Sequence, residues 1–205
     1  MDSSSLELRR RTSIEAANFL YSGVEKEYKQ AKLKAAKTLG SRFLPTNLEV
    51  AVELDRIAEE HEGSARQERL IRMRREALKL MLLLATYNPI LVGSVWRGTI
   101  HHESDIDIIV YHDLSDDVLN ALRKNKVRIM QAEQTVVTKE GKMKCSFHIY
   151  AQSSAGEKIE IKVASPEEAG TNVKCEIYGD KIVGLRIEGL KTLLEETPTR
   201  RFVPF

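Results

Sequence analysis

Asp105 and Asp107 stand two positions apart in the run Asp105-Ile106-Asp107-Ile108-Ile109-Val110-Tyr111. The β-branched residues make this run a strand, and side chains alternate across a strand. Both carboxylates therefore share one face, about 7 Å apart at Cα, while Ile106, Ile108 and Val110 take the other face and anchor it in a core. Two carboxylates held that close repel each other unless a cation lies between them. A hard divalent ion with oxygen ligands, Mg²⁺ or Mn²⁺, meets that need. Upstream, Ile90-Leu91-Val92 runs into Gly93-Ser94, where a strand gives way to a short helical turn. Glycine there lets a ligand approach the backbone, and the free amides with the Ser94 hydroxyl suit phosphate oxygens. Arg97, one turn on, either adds a charge-assisted contact to that phosphate or pairs with a surface acid. Gly98 then permits a tight exit.

A third carboxylate would complete the site. Glu160 lies in Lys158-Ile159-Glu160-Ile161-Lys162-Val163. Ile159, Ile161 and Val163 form the buried face, so Glu160 faces the other way with Lys158 and Lys162. If this strand lies beside the Asp strand, Glu160 reaches the same ion and helps to deprotonate an attacking hydroxyl. Glu157, in the preceding turn, is the alternative acid.

The pattern Gly-Ser-x-x-x-Gly, then Ser-Asp-x-Asp, then an acid on a later strand resembles the polymerase-β-type nucleotidyltransferase superfamily. Within it, the likeness is to the minimal nucleotidyltransferase-domain proteins of archaea and bacteria. The pattern occupies residues 93–107 plus Glu160. The resemblance implies an α+β fold: a polymerase-β-like nucleotidyltransferase core of mixed sheet and helices over about residues 88–165. It implies that Gly93 and Ser94, with Arg97 and Ser104, bind a nucleoside triphosphate, ATP being the expected donor. Asp105, Asp107 and Glu160 would be the catalytic, metal-binding acids for Mg²⁺ (or Mn²⁺). An acceptor hydroxyl then attacks the α-phosphate and pyrophosphate leaves. Two departures matter. Many family members carry Asp where this chain has Glu160. Larger relatives carry a substrate-binding helical domain after the core, whereas here the helices come first, so the resemblance does not extend to the acceptor, which could be RNA, protein or a small molecule.

The elements that must position these residues follow from local patterns. Residues 1–87 read as helices, through the capping-box spacings Thr12/Glu15, Thr46/Glu49 and Ser64/Gln67. A first helix is expected over about residues 13–39, with Ile14, Ala17, Tyr21, Val24, Tyr28, Ala31 and Ala35 as one apolar stripe, which could be core or a homo-oligomer surface. A second is expected over 47–62, ending at Gly63, and a third over 65–87. From Pro89 the pattern turns to strands, at 126–138, 144–151, 158–164, 173–178 and 181–187, with helices at 115–124 and 188–196. The division is thus a helical region at 1–87 and a catalytic domain at 88–205.

Composition narrows the rest. The chain has 205 residues, with 32 Lys+Arg against 30 Asp+Glu, so any basic surface must come from local segregation of charge. No apolar run approaches the roughly 18–20 residues that span a membrane, and the N-terminus lacks a secretory pattern. Cys145 and Cys175 form neither a disulfide framework nor a zinc site, so a cytoplasmic protein with reduced cysteines is expected. Arg66, Arg69, Arg72, Arg75 and Lys79 recur at spacings of three and four, and Lys26, Lys29, Lys32, Lys34 and Lys37 cluster in the first helix. Each set reads as a solvated helix face or as a track for an anionic acceptor. Trp96 reads as a packing residue, and His101 and His102 as solvated loop histidines. The expected function is metal-dependent transfer of a nucleoside monophosphate to a hydroxyl. The alternatives are an antitoxin-like or regulatory nucleotide-binding module and an RNA-end-processing nucleotidyltransferase.

Overall fold

The structure is a computed structural model that describes residues 3–139 and 142–204; Glu140-Gly141, between the strands expected at 126–138 and 144–151, and the side chain of Cys145 lie outside the described residues. Helices come first: α1 (Ser3–Tyr21), α2 (Tyr28–Leu39) and α3 (Asn47–Leu83). A short strand β1 (Ile90–Val92) leads into α4 (Gly93–Arg97) and β2 (Ile106–Tyr111). Then follow α5 (Ser115–Lys124), β3 (Arg128–Lys139), β4 (Lys142–Gln152), β5 (Lys158–Ala164) and α6 (Ile187–Glu196). The five strands make one mixed sheet in the order β1-β2-β5-β4-β3. β2 and β5 are parallel, and the other pairs are antiparallel. The expected α+β architecture is the one observed.

One face of the sheet is buried. Leu91, Ile106, Ile108, Val110, Ile149, Ile159 and Ile161 pack against Leu70, Met73, Ala77 and Met81 of α3, Val118 and Leu122 of α5, and Leu190 of α6. A second, smaller cluster ties Ala16, Ala17 and Leu20 of α1 and Ala31 and Ala35 of α2 to Val50, Leu54 and Ile57 of α3. The small side chains let three helix backbones approach closely. Of the expected first-helix stripe, Ala17, Ala31 and Ala35 are core and Tyr21 and Tyr28 pack against it, while Val24 is exposed. The long α3 belongs to both clusters, so its second half, Leu70 onward, packs with the sheet.

Several local expectations need correction. The helix expected over 13–39 is two helices, because Gly23 (φ 71°) adopts the left-handed region and the chain turns before restarting at Tyr28. Thr12 caps nothing: it is buried inside α1, where its hydroxyl donates to the Leu8 carbonyl at 2.7 Å. Thr46 does cap α3, accepting from the Glu49 amide while the Glu49 carboxylate accepts from the Thr46 amide. The break expected at Gly63 is present: Gly63 (φ 52°, ψ −136°) is non-helical, and two helices meet there in a kink along α3. That helix ends at Leu83, and a 3₁₀ turn, Ala85–Tyr87, completes the expected span. The strands expected at 173–178 and 181–187 are reduced to isolated bridges, Lys174 with Lys181 and Leu185 with Leu91.

Candidate active site

The acids meet through strand register. In the parallel β2–β5 pair, Asp107 is the partner of Glu160, and in the antiparallel β1–β2 pair Val92 is the partner of Asp107. Pleating sends Ile106, Ile108, Ile159 and Ile161 into the core, so Asp107 and Glu160 rise on the opposite face, one strand spacing apart. Asp105, just ahead of β2, closes the group. Asp105, Asp107 and Glu160 each offer a carboxylate oxygen, and these oxygens all lie within 4.8 Å of one another.

The electrostatics are adverse to three bare carboxylates. Burial pushes the Asp107 carboxyl well above the usual range, and the charges of Asp105 and Glu160 push it further. Burial likewise raises Asp105, with Glu160 adding to it. Three all-oxygen donors crowded in this way, two of them destabilised as anions, fit a hard divalent cation by charge and by ligand type.

Gly93 is set by the same geometry. Its φ is 69°, and a Cβ there would overlap the Asp107 carboxylate. No other residue lets the β1–α4 corner lie so close to that acid. Gly93, Ser94, Arg97, Ser104, Asp105 and Asp107 line one side of a cavity of about 790 Å³. Its other walls come from the N-terminal helices (Leu20, Tyr28, Leu54) and from the loop after β5 (Ile177, Tyr178, Ile182). The size falls within the roughly 300–1,000 Å³ of small-molecule sites. A second cavity, about 630 Å³, lies between α3, the α5–β3 turn and the β4–β5 turn, and its lining includes none of the trio.

Two expected nucleotide contacts are already engaged. The Arg97 guanidinium is buried in a two-pronged pair with Asp180 (3.1 and 2.7 Å) and donates to the Phe202 carbonyl at 2.9 Å. It sits between the rings of Trp96 and Tyr178, 4.5 and 4.4 Å from their centroids. It fastens the C-terminal loop to α4. Ser104 is buried, and its hydroxyl accepts from the His101 amide at 2.9 Å, shaping the loop that delivers Asp105. Trp96 is buried, as expected.

Of the basic stripe on α3, Arg66 is buried and Arg69 half-buried, while Arg72, Arg75 and Lys79 are exposed. Arg66 donates to the Ile100 carbonyl at 2.7 Å and pairs with Asp55 and with Glu59. Arg69 donates to the carbonyls of His101 (2.8 Å) and Ser104 (3.0 Å) and pairs with Glu157 at 2.8 Å. Arg72 shares Glu157 at 3.1 Å. Burial pushes the Glu157 carboxyl up, but Arg69 and Arg72 outweigh it and hold it below the usual range. Glu157 is thereby committed away from the trio. Arg74, missed as a structural residue, is fully buried and donates to four carbonyls, those of Val95, Trp96, Pro198 and Arg200. His101 is not a solvated histidine: burial, then His102 and Arg69, push it down to about 4. It packs by Tyr21, which also meets His102 edge-on and stacks on His61.

One side chain that touches the trio went unread in the sequence. His148, on the polar face of β4, places Nδ1 2.6 Å from Glu160 Oε1. The alternation His148-Ile149-Tyr150 marks the face, but not that β4 lies next to β5.

Comparison with known proteins adds a family. A profile of the nucleotidyltransferase domain matches residues 70–182, more than half of the chain. Among solved structures, one of the Cid1 poly(U) polymerase with MgGTP bound is 18% identical, covering 54% of this chain and 38% of its own, with a TM-score of 0.32. A cytoplasmic RNA terminal U-transferase is 15% identical, covering 57% and 34%, with a TM-score of 0.28. This chain therefore corresponds to well under half the length of either. No curated protein sequence matches it.

Proposed function

This chain belongs to the nucleotidyltransferase-domain family, and from that premise we propose that it transfers a nucleoside monophosphate from an NTP, with ATP the expected donor, to a hydroxyl acceptor. The observation that carries the reading is the convergence of Asp105, Asp107 and Glu160, with Asp105 and Asp107 lining the same cavity as Gly93 and Ser94. In this reading Asp105, Asp107 and Glu160 would hold Mg²⁺ or Mn²⁺. Divalent cations there would supply Lewis-acid stabilisation of the attacking and departing oxygens. The corner at Gly93-Ser94 presents backbone amide and hydroxyl to the β- and γ-phosphates, and Gly93 admits them for want of a side chain. Glu160 accepts the proton of the acceptor hydroxyl. The acceptor oxygen bonds to the α-phosphorus, the bond from the α-phosphorus to the bridging oxygen breaks, and pyrophosphate carries that electron pair away. Ser104 and Arg97 contribute by shaping the loop and the wall around the donor. The helices of residues 1–87 complete the cavity opposite the acids and would bear on the choice of acceptor. No described helix is long and apolar enough to cross a membrane, and a cytoplasmic setting, where NTPs are at hand, goes with this reading.

The test is to incubate the protein with each α-labelled NTP and Mg²⁺ or Mn²⁺ in pools of RNA, protein and small hydroxyl compounds. Label transfer by the native chain and none by the Asp105→Ala/Asp107→Ala variant is the expected result. No transfer in any pool, with tight binding to a co-purifying protein, would replace this reading with that of a binding module.

A further inference from the structure

Glu160 reaches the trio on a side chain with three rotatable bonds, facing two other carboxylates. Repulsion alone would turn it outward, away from Asp105 and Asp107. The neighbouring strand closes that route. Ser146, His148 and Tyr150 share the polar face of β4, while Ile149 and Ala151 are buried. β4 runs antiparallel to β5, with Tyr150 opposite Glu160 and His148 opposite Lys162, so the imidazole reaches Glu160 diagonally. Its Nδ1 lies 2.6 Å from Glu160 Oε1 and its Nε2 2.9 Å from Ser146 Oγ. The Tyr150 ring stacks alongside, with centroids 6.4 Å apart and planes at 21°.

A carboxylate only accepts, so Nδ1 carries the hydrogen toward Glu160 whether the ring is neutral or charged. In the neutral ring, Ser146 donates to Nε2. The ring is thus held at both nitrogens and along one face, and it engages one of the two oxygens of Glu160. We propose that His148 is a positioning residue: it holds Glu160 in the conformation that binds metal, and Ser146 fixes the ring that does so. The proposal rests on the reading of Asp105, Asp107 and Glu160 as metal ligands. Partners of ligating carboxylates typically contribute about 10–100-fold in metal affinity or activity.

The test uses the full chain and reads Mn²⁺ binding directly, by electron paramagnetic resonance, beside thermal melting. The informative pair is His148→Asn and His148→Gln. Both are neutral amides, but the Asn nitrogen takes the place of Nδ1, whereas the Gln amide extends toward Nε2 and Ser146. The expected result is Mn²⁺ affinity about 10–100-fold weaker in His148→Gln, most of it recovered in His148→Asn, with all variants melting alike. In turnover, His148→Gln should need more metal for half-maximal rate and recover as Mn²⁺ is raised. Ser146→Ala should show a smaller loss in the same direction. Mn²⁺ binding by His148→Gln equal to the native protein's, or His148→Asn no better than His148→Gln, would overturn the proposal. Asp107→Asn separates the two levels: if it binds Mn²⁺ as the native chain does, or if the native chain binds none, the metal site itself fails and the role of His148 falls with it.

Discussion

On the open face of β2 and β5, three carboxylates converge within 4.8 Å, and burial pushes two of them up. On the second half of α3, by contrast, Arg69 and Arg74 direct their donors to carboxylate and carbonyl oxygens. Arg69 reaches Glu157 and two carbonyls, and Arg74 reaches four carbonyls. The two regions touch the same stretch of chain, residues 93–107, and use charge in opposite ways. Matched charge holds the loop in shape. Unmatched like charge stores an electrostatic penalty that a cation relieves. The excess of one sign, more than the number of charged residues, sets the proposed site apart.

The contrast can be broken most sharply at Asp107. Asp107→Asn keeps the shape and removes one repelling charge. It should lower label transfer by about a thousandfold or more, since metal stabilisation is worth several kcal/mol and each 1.4 kcal/mol is tenfold. In metal-free buffer at neutral pH, the variant should melt no lower than the native chain. A clear drop in melting temperature would place Asp107 with the structural charges.

Arg74→Met tests the other side. It fills the volume but leaves four carbonyls without their donor, so urea denaturation should show a loss of about 3–5 kcal/mol. An unchanged midpoint would mean that this arginine is not structural. Arg69→Ala falls between the two. It frees the carbonyls of His101 and Ser104 and leaves Glu157 with Arg72 alone. Activity should drop about 10–100-fold through a loosened Asp105, with a smaller loss of stability. Loss of stability alone would confine Arg69 to the structural set.

His101 gives the finest test. Its folded value is pushed down to about 4 from an ordinary 6.5, so between those values the unfolded chain binds the extra proton. The stability it contributes is full above 6.5 and declines as pH falls through that window toward 4. Urea midpoints measured across the window should show that slope, and His101→Asn should flatten it.

Much of the acid site was legible along the chain. The spacing Asp105-x-Asp107, the glycine after β1 and the alternation around Glu160 are short-range features, and each survives in the structure. The neighbour of the Glu160 strand was open, because α5, β3 and β4 lie between β2 and β5 in sequence. The α3 arginines were misleading for a related reason: spacings of three and four show that residues share a face but not what that face meets. The first-helix break was masked because apolar steps of three and four continue through Gly23. The strands expected at 173–187 had the composition of strands but found only isolated bridges to pair with.

By itself, the sequence determined the kinds of groups and their local geometry. It specified two acids two positions apart at a strand, a glycine corner ahead of them, and helices before a sheet. Pleat, cap and turn depend on residues within a few positions of one another, so they can be read in order. Tertiary structure alone decided the partners. It put Glu160 beside Asp107 through the β2–β5 register, His148 behind Glu160, Asp180 on Arg97 and Glu157 on Arg69. Apart from His148 and Glu160, on consecutive strands, those pairings join segments far apart in the chain. They form only when apolar burial fixes the order of the strands and the seat of α3, and no local spacing encodes that order.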